Sequence, residues 1–224
     1  RGRAVLLEVD GFALDFWINE PRAPFEIIKE DILPLLPMSA QIRQEGLGFV
    51  YWKWDAVAAD AVATLDVSTE LGERTSSVEV SAIDDVYNTI RIDYCQDGPE
   101  GDYRKTLIYS HEDTAADGEV SVNPYSWASF TRYGKREGLV IEAPIVEQDD
   151  TARAILDWKI RYHSMTHRTV SYRLPQAWQA REVGDVITVT DSAIGWSGVV
   201  CLITAIVRVP GYTDITLTTV ADWI

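Results

Sequence analysis

The sequence predicts an α+β chain that is mostly β, arranged as two β-rich units of barrel or sandwich type with one helix packed on each. Three observations lead there. In the last quarter, β-branched runs follow one another at close spacing: 168–174, then Val186 to Thr190, then two more runs ending at Val220. Gly, Pro or Asp marks each junction, as at Val183-Gly184-Asp185 and in the loop Asp191 to Gly195, which is the pattern of short antiparallel strands. Directly before them lies one amphipathic segment, 150–163. Finally, the two halves rhyme: each offers strands, one helical run begun by an Asp, and a return into strands. The expected division is 1–83, with a helix near 56–66, and 84–224, with a helix near 150–163, the soft boundary falling at Asp84-Asp85.

Taken in order, Val5 to Val9 and Phe12 to Trp17 flank Asp10-Gly11, a pair suited to the positive φ angles of a tight hairpin. Phe25 to Leu33 reads as a short helix halted by Pro34 and Pro37. A β pair follows, Ser39 to Arg43 and Phe49 to Trp54, around a turn at 45–48. Asp55 then stands as an N-cap for 56–65, where Val57, Ala61 and Leu65 recur at four-residue spacing. A polar stretch, 68–81, carries a loop at 70–74 and a short β run at 77–80. Beyond the boundary, Val86, Ile90, Ile92 and Tyr94 alternate with Tyr87, Thr89, Arg91 and Asp93, the period of a half-buried strand. The loop Gln96 to Asp102 leads to a strand at 103–110. An irregular stretch is expected at 112–124, and a strand at 139–145. In the helix from Asp150, acids stand at the start and Lys159, Arg161 and His163 at the end, where the helix dipole favours each. Its wide apolar face, Ala152, Ile155, Leu156, Ile160 and Tyr162, predicts burial against a sheet.

Composition narrows the classes. Of 224 residues, 46% are hydrophobic and 25% charged, which fits a folded chain rather than a disordered one. No run reaches the length of an apolar membrane span, and no signal peptide is read at the start. Residue 1 is Arg rather than Met, so a piece of a longer protein is expected. A net charge of −15 argues against phosphate binding, which depends on Lys and Arg displacing counterions. Cys95 and Cys201 lack the spacing of a zinc knuckle or redox pair and read as small buried apolar residues.

Reaction chemistry is not signalled. His163 and His167 stand four apart without the Glu of a metallohydrolase pair, and His111 is distant. No Gly-x-Ser-x-Gly elbow is present. The segment 97–102 is acidic and Gly-containing but lacks the alternating ligands of a calcium loop. No catalytic, cofactor or metal residue is therefore assigned. Of the eight tryptophans, Trp52, Trp54 and Trp158 fall within expected elements and read as core, while Trp178, Trp196 and Trp223 lie near turns and read as interface candidates. Strand density, Trp content and low pI leave a rival reading open, a secreted glycan-binding or glycan-cleaving β-rich protein.

Several stretches, in their order, carry a resemblance: Tyr87 to Tyr94, Arg132-Tyr133-Gly134, Asp150 to Trp158, Arg168 to Tyr172, and Val183 to Asp191. Together they resemble the hub region of phage tail-tip and baseplate proteins, including those of gene transfer agents. Ile32 to Pro37 followed by Trp52 to Ala56 is similar to the segment that precedes it in that family. Val183 departs from the Pro expected ahead of Gly-Asp, which only stiffens a turn. The resemblance implies two tail-tube-like β-barrel units, each with a packed helix, and a non-enzymatic virion component without cofactors, assembled in the bacterial cytoplasm. It also implies a homo-oligomer, a trimer forming a pseudo-sixfold ring, with other tail or baseplate proteins as partners. DNA would cross the central channel without specific binding, and the acidic charge would repel phosphates weakly and evenly.

Overall fold

The structure is a computed structural model that describes residues 4–9, 12–17, 23–43, 46–70, 72–98, 101–112 and 119–220. In chain order its elements are β1 (Ala4–Val9), β2 (Phe12–Trp17), α1 (Pro24–Ile27), β3 (Met38–Arg43), β4 (Gly46–Tyr51), β5 (Ala63–Asp66), β6 (Glu73–Arg74) and β7 (Glu79–Val80). They continue with β8 (Ile90–Gln96), β9 (Tyr103–Ser110), β10 (Glu119–Val122), α2 (Pro124–Tyr133), β11 (Leu139–Ala143), α3 (Asp149–His163), β12 (Arg168–Pro175), β13 (Val186–Asp191), β14 (Trp196–Val209) and β15 (Tyr212–Thr219). The chain divides into two compact units with interleaved segments: 1–40 with 86–164, and 41–85 with 165–224. This differs from the two consecutive stretches expected, 1–83 and 84–224. The physical reason is that strands from the first part of the chain pair with strands far along it, as β5 does with β13 and β6 with β12.

In the first unit, β1 and β2 are antiparallel with Val9 opposite Phe12, the register of a two-residue connection; Asp10-Gly11 itself lies outside the described residues. Helix α1 continues through a π turn at Ile28–Ile32 and a 3-10 turn at Leu33–Leu35, and the chain is extended again from Leu36. Pro34 can take the first turn of the 3-10 segment because the N–H it lacks has no helical partner there. The main sheet runs β10-β9-β8-β11, with β8 and β9 antiparallel and both outer pairs parallel. Ile90, Ile92 and Tyr94 of β8 alternate inward and pack with Ala152, Ile155, Leu156 and Ile160 of α3, all of them buried. Each large apolar side chain so buried contributes about 1.5–3 kcal/mol relative to exposure. Within the stretch expected to be irregular, β10 occupies 119–122, and α2 begins at once after it. Asn123 caps α2 by accepting the Tyr125 N–H at 2.9 Å, and Pro124 takes the first helical position.

In the second unit the sheet runs β5-β13-β14-β15-β12-β6, with β7 also on β12. All pairs are antiparallel except β5 with β13. Leu65, Val170, Tyr172, Leu174, Ile187, Val189, Ile203, Ile215 and Leu217 point to one side and form a single core. The sheet curls strongly around that core. Tyr172 on β12 donates its hydroxyl to Asp191 at the end of β13 at 2.9 Å, although β14 and β15 lie between them in the pairing order. In a flat sheet those two strands would stand about 14 Å apart. The hydrogen-bonded path ends at β5 on one side and at β6 and β7 on the other. A bulge between Ile203 and Ala205 adds local bend to β14. The turn into β13 requires glycine: Gly184 has φ +96°, and a Cβ there would lie 2.8 Å from Val50 Cγ1.

The helix expected near 56–66 does not form. Ala58–Asp60 makes one 3-10 turn, and Ala63–Asp66 is β5. The Asp60 carboxylate accepts the Val57 N–H at 2.9 Å and pairs with Lys53 Nζ at 2.7 Å, fixing a tight turn. Leu65 then gains complete burial as a strand residue, and the Val67 N–H reaches the Thr190 carbonyl at 3.1 Å. Tertiary pairing thus outweighs a local four-residue spacing.

Candidate assembly surfaces

The residues weighed for chemistry each have their own local partners. His163 ends α3 in the first unit, where its ring meets the edges of Tyr87 and Tyr162 and its carbonyl accepts the Tyr87 N–H at 2.7 Å. His167 belongs to the second unit; its Nδ1 lies 2.8 Å from the Thr219 carbonyl, and its ring lies 5.2 Å from that of Trp54. His111 is buried and stacks on Phe130 at 3.8 Å, with Nε2 3.4 Å from Glu112. Among the described residues no group of three His, Cys, Asp or Glu side chains is disposed to hold a metal. Cys95 is partly buried and Cys201 fully buried, and the two are not joined to each other. In the acidic loop, Asp97 faces Arg104 at 2.6 Å, and this hydrogen-bonded cation holds its carboxyl below the usual range.

The shifted groups in the interior follow from packing. Burial pushes the Tyr109 phenol up to about 12, with the Asp157 carboxylate adding to it. Burial likewise raises Tyr172, whose hydroxyl is held by Asp191. Lys159 is lowered to about 8 by burial, with Nζ 4.1 Å from the Trp158 ring centroid. These groups lie on different elements, Tyr109 on β9, Lys159 on α3 and Tyr172 on β12.

Two of the tryptophans expected at an interface are corrected. Trp178 and Trp196 are only 6% and 3% exposed and belong to the core of the second unit. Trp196 opens β14 facing inward, and Trp178 sits in a 3-10 turn with Nε1 donating to the Glu70 carboxylate at 3.3 Å. Trp223 lies outside the described residues. Trp158 packs against the first core and donates to the Leu35 carbonyl at 2.8 Å. Trp52 and Trp54 pack against a smaller cluster with Ala56, Val186, Leu202 and Val220. The exposed tryptophan that sequence reading passed over is Trp127, 56% accessible on α2. Its signal was the Asn123-Pro124 pair, which starts a helix that runs through residue 127.

Exposed apolar residues in the second unit gather near the ends of its strand path. Val62 immediately precedes β5, Val80 lies in β7, and Ile83 follows it. Phe49 and Tyr51, two apart on β4, present a second exposed pair on one side of that strand. Terminal strands carry unpaired backbone groups, and apolar side chains beside them favour coverage by another chain over permanent exposure. No helix among the described residues is long and apolar enough to cross a membrane.

Comparison with known proteins agrees with this β-rich fold. No curated protein matches the sequence. Among solved structures, a prophage tail protein of Listeria monocytogenes EGD-e superposes with a TM-score of 0.51 at 11% identity, over 91% of this chain and 55% of that one. A tail protein from Neisseria meningitidis MC58 gives 0.52 at 12%, over 92% and 58%. The 43 kDa tail protein of prophage MuSo2 from Shewanella oneidensis gives 0.50 at 12%, over 92% and 57%. At such identities the likeness is one of fold, and this chain spans a little over half the length of these three proteins. The sequence itself matches a family over residues 30–206, most of its length. By that match, the chain belongs to the family described as "Putative phage tail protein".

Proposed function

We propose that this chain is a hub module at the tail tip or baseplate of a phage or phage-like particle, acting through symmetric assembly rather than catalysis. The observation that carries this reading is the division of a tail-family chain into two β-rich units, each with its own core. Three copies would then supply six β-rich units, a number suited to adapting a sixfold tube to a threefold tip. Apolar residues beside the terminal strands of the second unit give each copy surfaces that gain from being covered. The net charge of −15 suits a conduit that must pass DNA without holding it. Assembly would take place in the bacterial cytoplasm, with other tail proteins as neighbours.

Light scattering on the parent protein, measured across a range of concentrations, tests the oligomer. A mass of three chains is expected. A monomer at every concentration, with no association with purified tails, overturns the proposal.

A further inference from the structure

On the second unit, the side of the sheet turned away from the core is paved with hydroxyls. β12 contributes Thr169 and Ser171, β15 contributes Thr216 and Thr218, and β14 contributes Thr204. These are bonded to one another across the strands. Thr169 and Thr218 hydroxyls lie 3.3 Å apart, Ser171 and Thr216 3.0 Å, and Thr204 and Thr218 3.3 Å. Thr204 also donates to the Thr216 carbonyl at 3.2 Å. All five residues are partly accessible. Among the described residues on this side of the three strands, Arg173 alone carries positive charge, and Asp214 neutralises it through two bonds of 2.9 and 3.2 Å. The exposed Val207, opposite Asp214, stands at the same end of the field.

Apart from the Arg173–Asp214 pair, no long charged side chain is described on this field. Short β-branched hydroxyl residues keep the face shallow, and their mutual hydrogen bonds hold the rotamers fixed. Hydroxyls bind water readily but give phosphate no counter-charge, so a polyanion near them is neither condensed nor strongly repelled. Large apolar side chains on this side stand at the margins of the field: Val207 and Tyr212 at one end, and Leu202 beside Thr218, where it is buried in a cluster with Ala56 and Val186. The other exposed large apolar side chains described in this unit stand elsewhere, at Phe49, Tyr51, Val57, Val62, Val80 and Ile83. Most of the exposed apolar surface of this unit is therefore separate from the hydroxyl field, with Val207 at the boundary.

We infer that the hydroxyl field of β12, β14 and β15 faces the central conduit and forms a water-bearing, non-adhesive lining past which duplex DNA moves. This rests on the tail-hub reading and adds to it the face that each copy turns inward. The test uses assembled particles carrying the parent protein with Thr218→Cys labelled by a small gold cluster, and separately with Thr216→Lys. Averaged electron micrographs should show gold density inside the ring, and Thr216→Lys particles should assemble but deliver DNA at least tenfold less often. The same lysine placed at exposed Val140 of the first unit should leave delivery unchanged. Gold on the outer surface, a residue 218 shielded from label between subunits, or Thr216→Lys particles delivering at the unaltered rate would each overturn the inference. If Thr216→Lys prevents assembly, the position of the gold alone decides. Absence of the protein from the tail would instead overturn the hub reading, which separates the two failures.

Discussion

The first unit covers its sheet with helices, whereas the second curls its sheet around a core of its own. In the first, α3 lays Ile155, Leu156 and Ile160 on β8 and β9, and α2 stands in the connection that brings β11 parallel to β8. In the second, the strands bend until Tyr172 reaches Asp191, and no long helix lies among its described residues. The difference teaches how each unit is held. One depends on a helix keeping its place; the other depends on the strands that end its sheet and on a buried polar bond joining strands that do not pair.

That contrast is broken most directly at Leu65, whose fully buried side chain ties the terminal strand β5 to the second core. Leu65→Ala should cost about 2–5 kcal/mol, read as lost amide-exchange protection along β13 while β8 keeps its own. Equal loss in both sheets would mean that the two cores do not behave as separate units. Tyr172→Phe comes next, because it strips a donor from the buried Asp191 carboxylate, which retains the Ala193 N–H at 3.0 Å and Arg74 at 3.5 Å. A loss of about 1–3 kcal/mol in urea unfolding is expected. A loss below about 0.5 kcal/mol would show that packing alone sustains the curl.

In the first unit, Asn123→Ala removes the cap of α2 and should cost about 1 kcal/mol, seen as faster exchange in the first turn of that helix. A further effect in this unit is one of pH. Lys159 has a folded-state value of about 8, below the ordinary lysine value near 10.4, so between the two the unfolded chain binds more protons than the folded one. Stability therefore rises with pH across that window. Lys159→Met should abolish this rise and be more stable than the parent at neutral pH, as thermal melts at pH 7 and pH 10 would reveal.

What could be read from sequence follows the same division between local and distant causes. Helix α3 was legible because acids at its start, cations at its end and apolar residues at helical spacing all agree. β12 to β15 were legible because β-branched residues alternate and glycines mark the turns, as Gly211 does with φ +95°. The segment 56–66 misled because Val57, Ala61 and Leu65 fit one face of a helix, while its preference for β13 is invisible locally. Trp178 and Trp196 misled for a related reason: they lie beside turns, but the curl of the sheet encloses them. The hydroxyl field was present in the alternation of β12 and β15. Its continuity depended on the register Thr169 to Thr218 and Ser171 to Thr216, which no single strand discloses.

A reconstruction of the whole tail by electron microscopy, at a resolution that separates subunits, tests the central claim most directly. Three copies closing a ring at the distal end, each contributing two β-rich units around an open channel, is the predicted result. A single copy on the outside of the tail, or a protein absent from the particle, would contradict it.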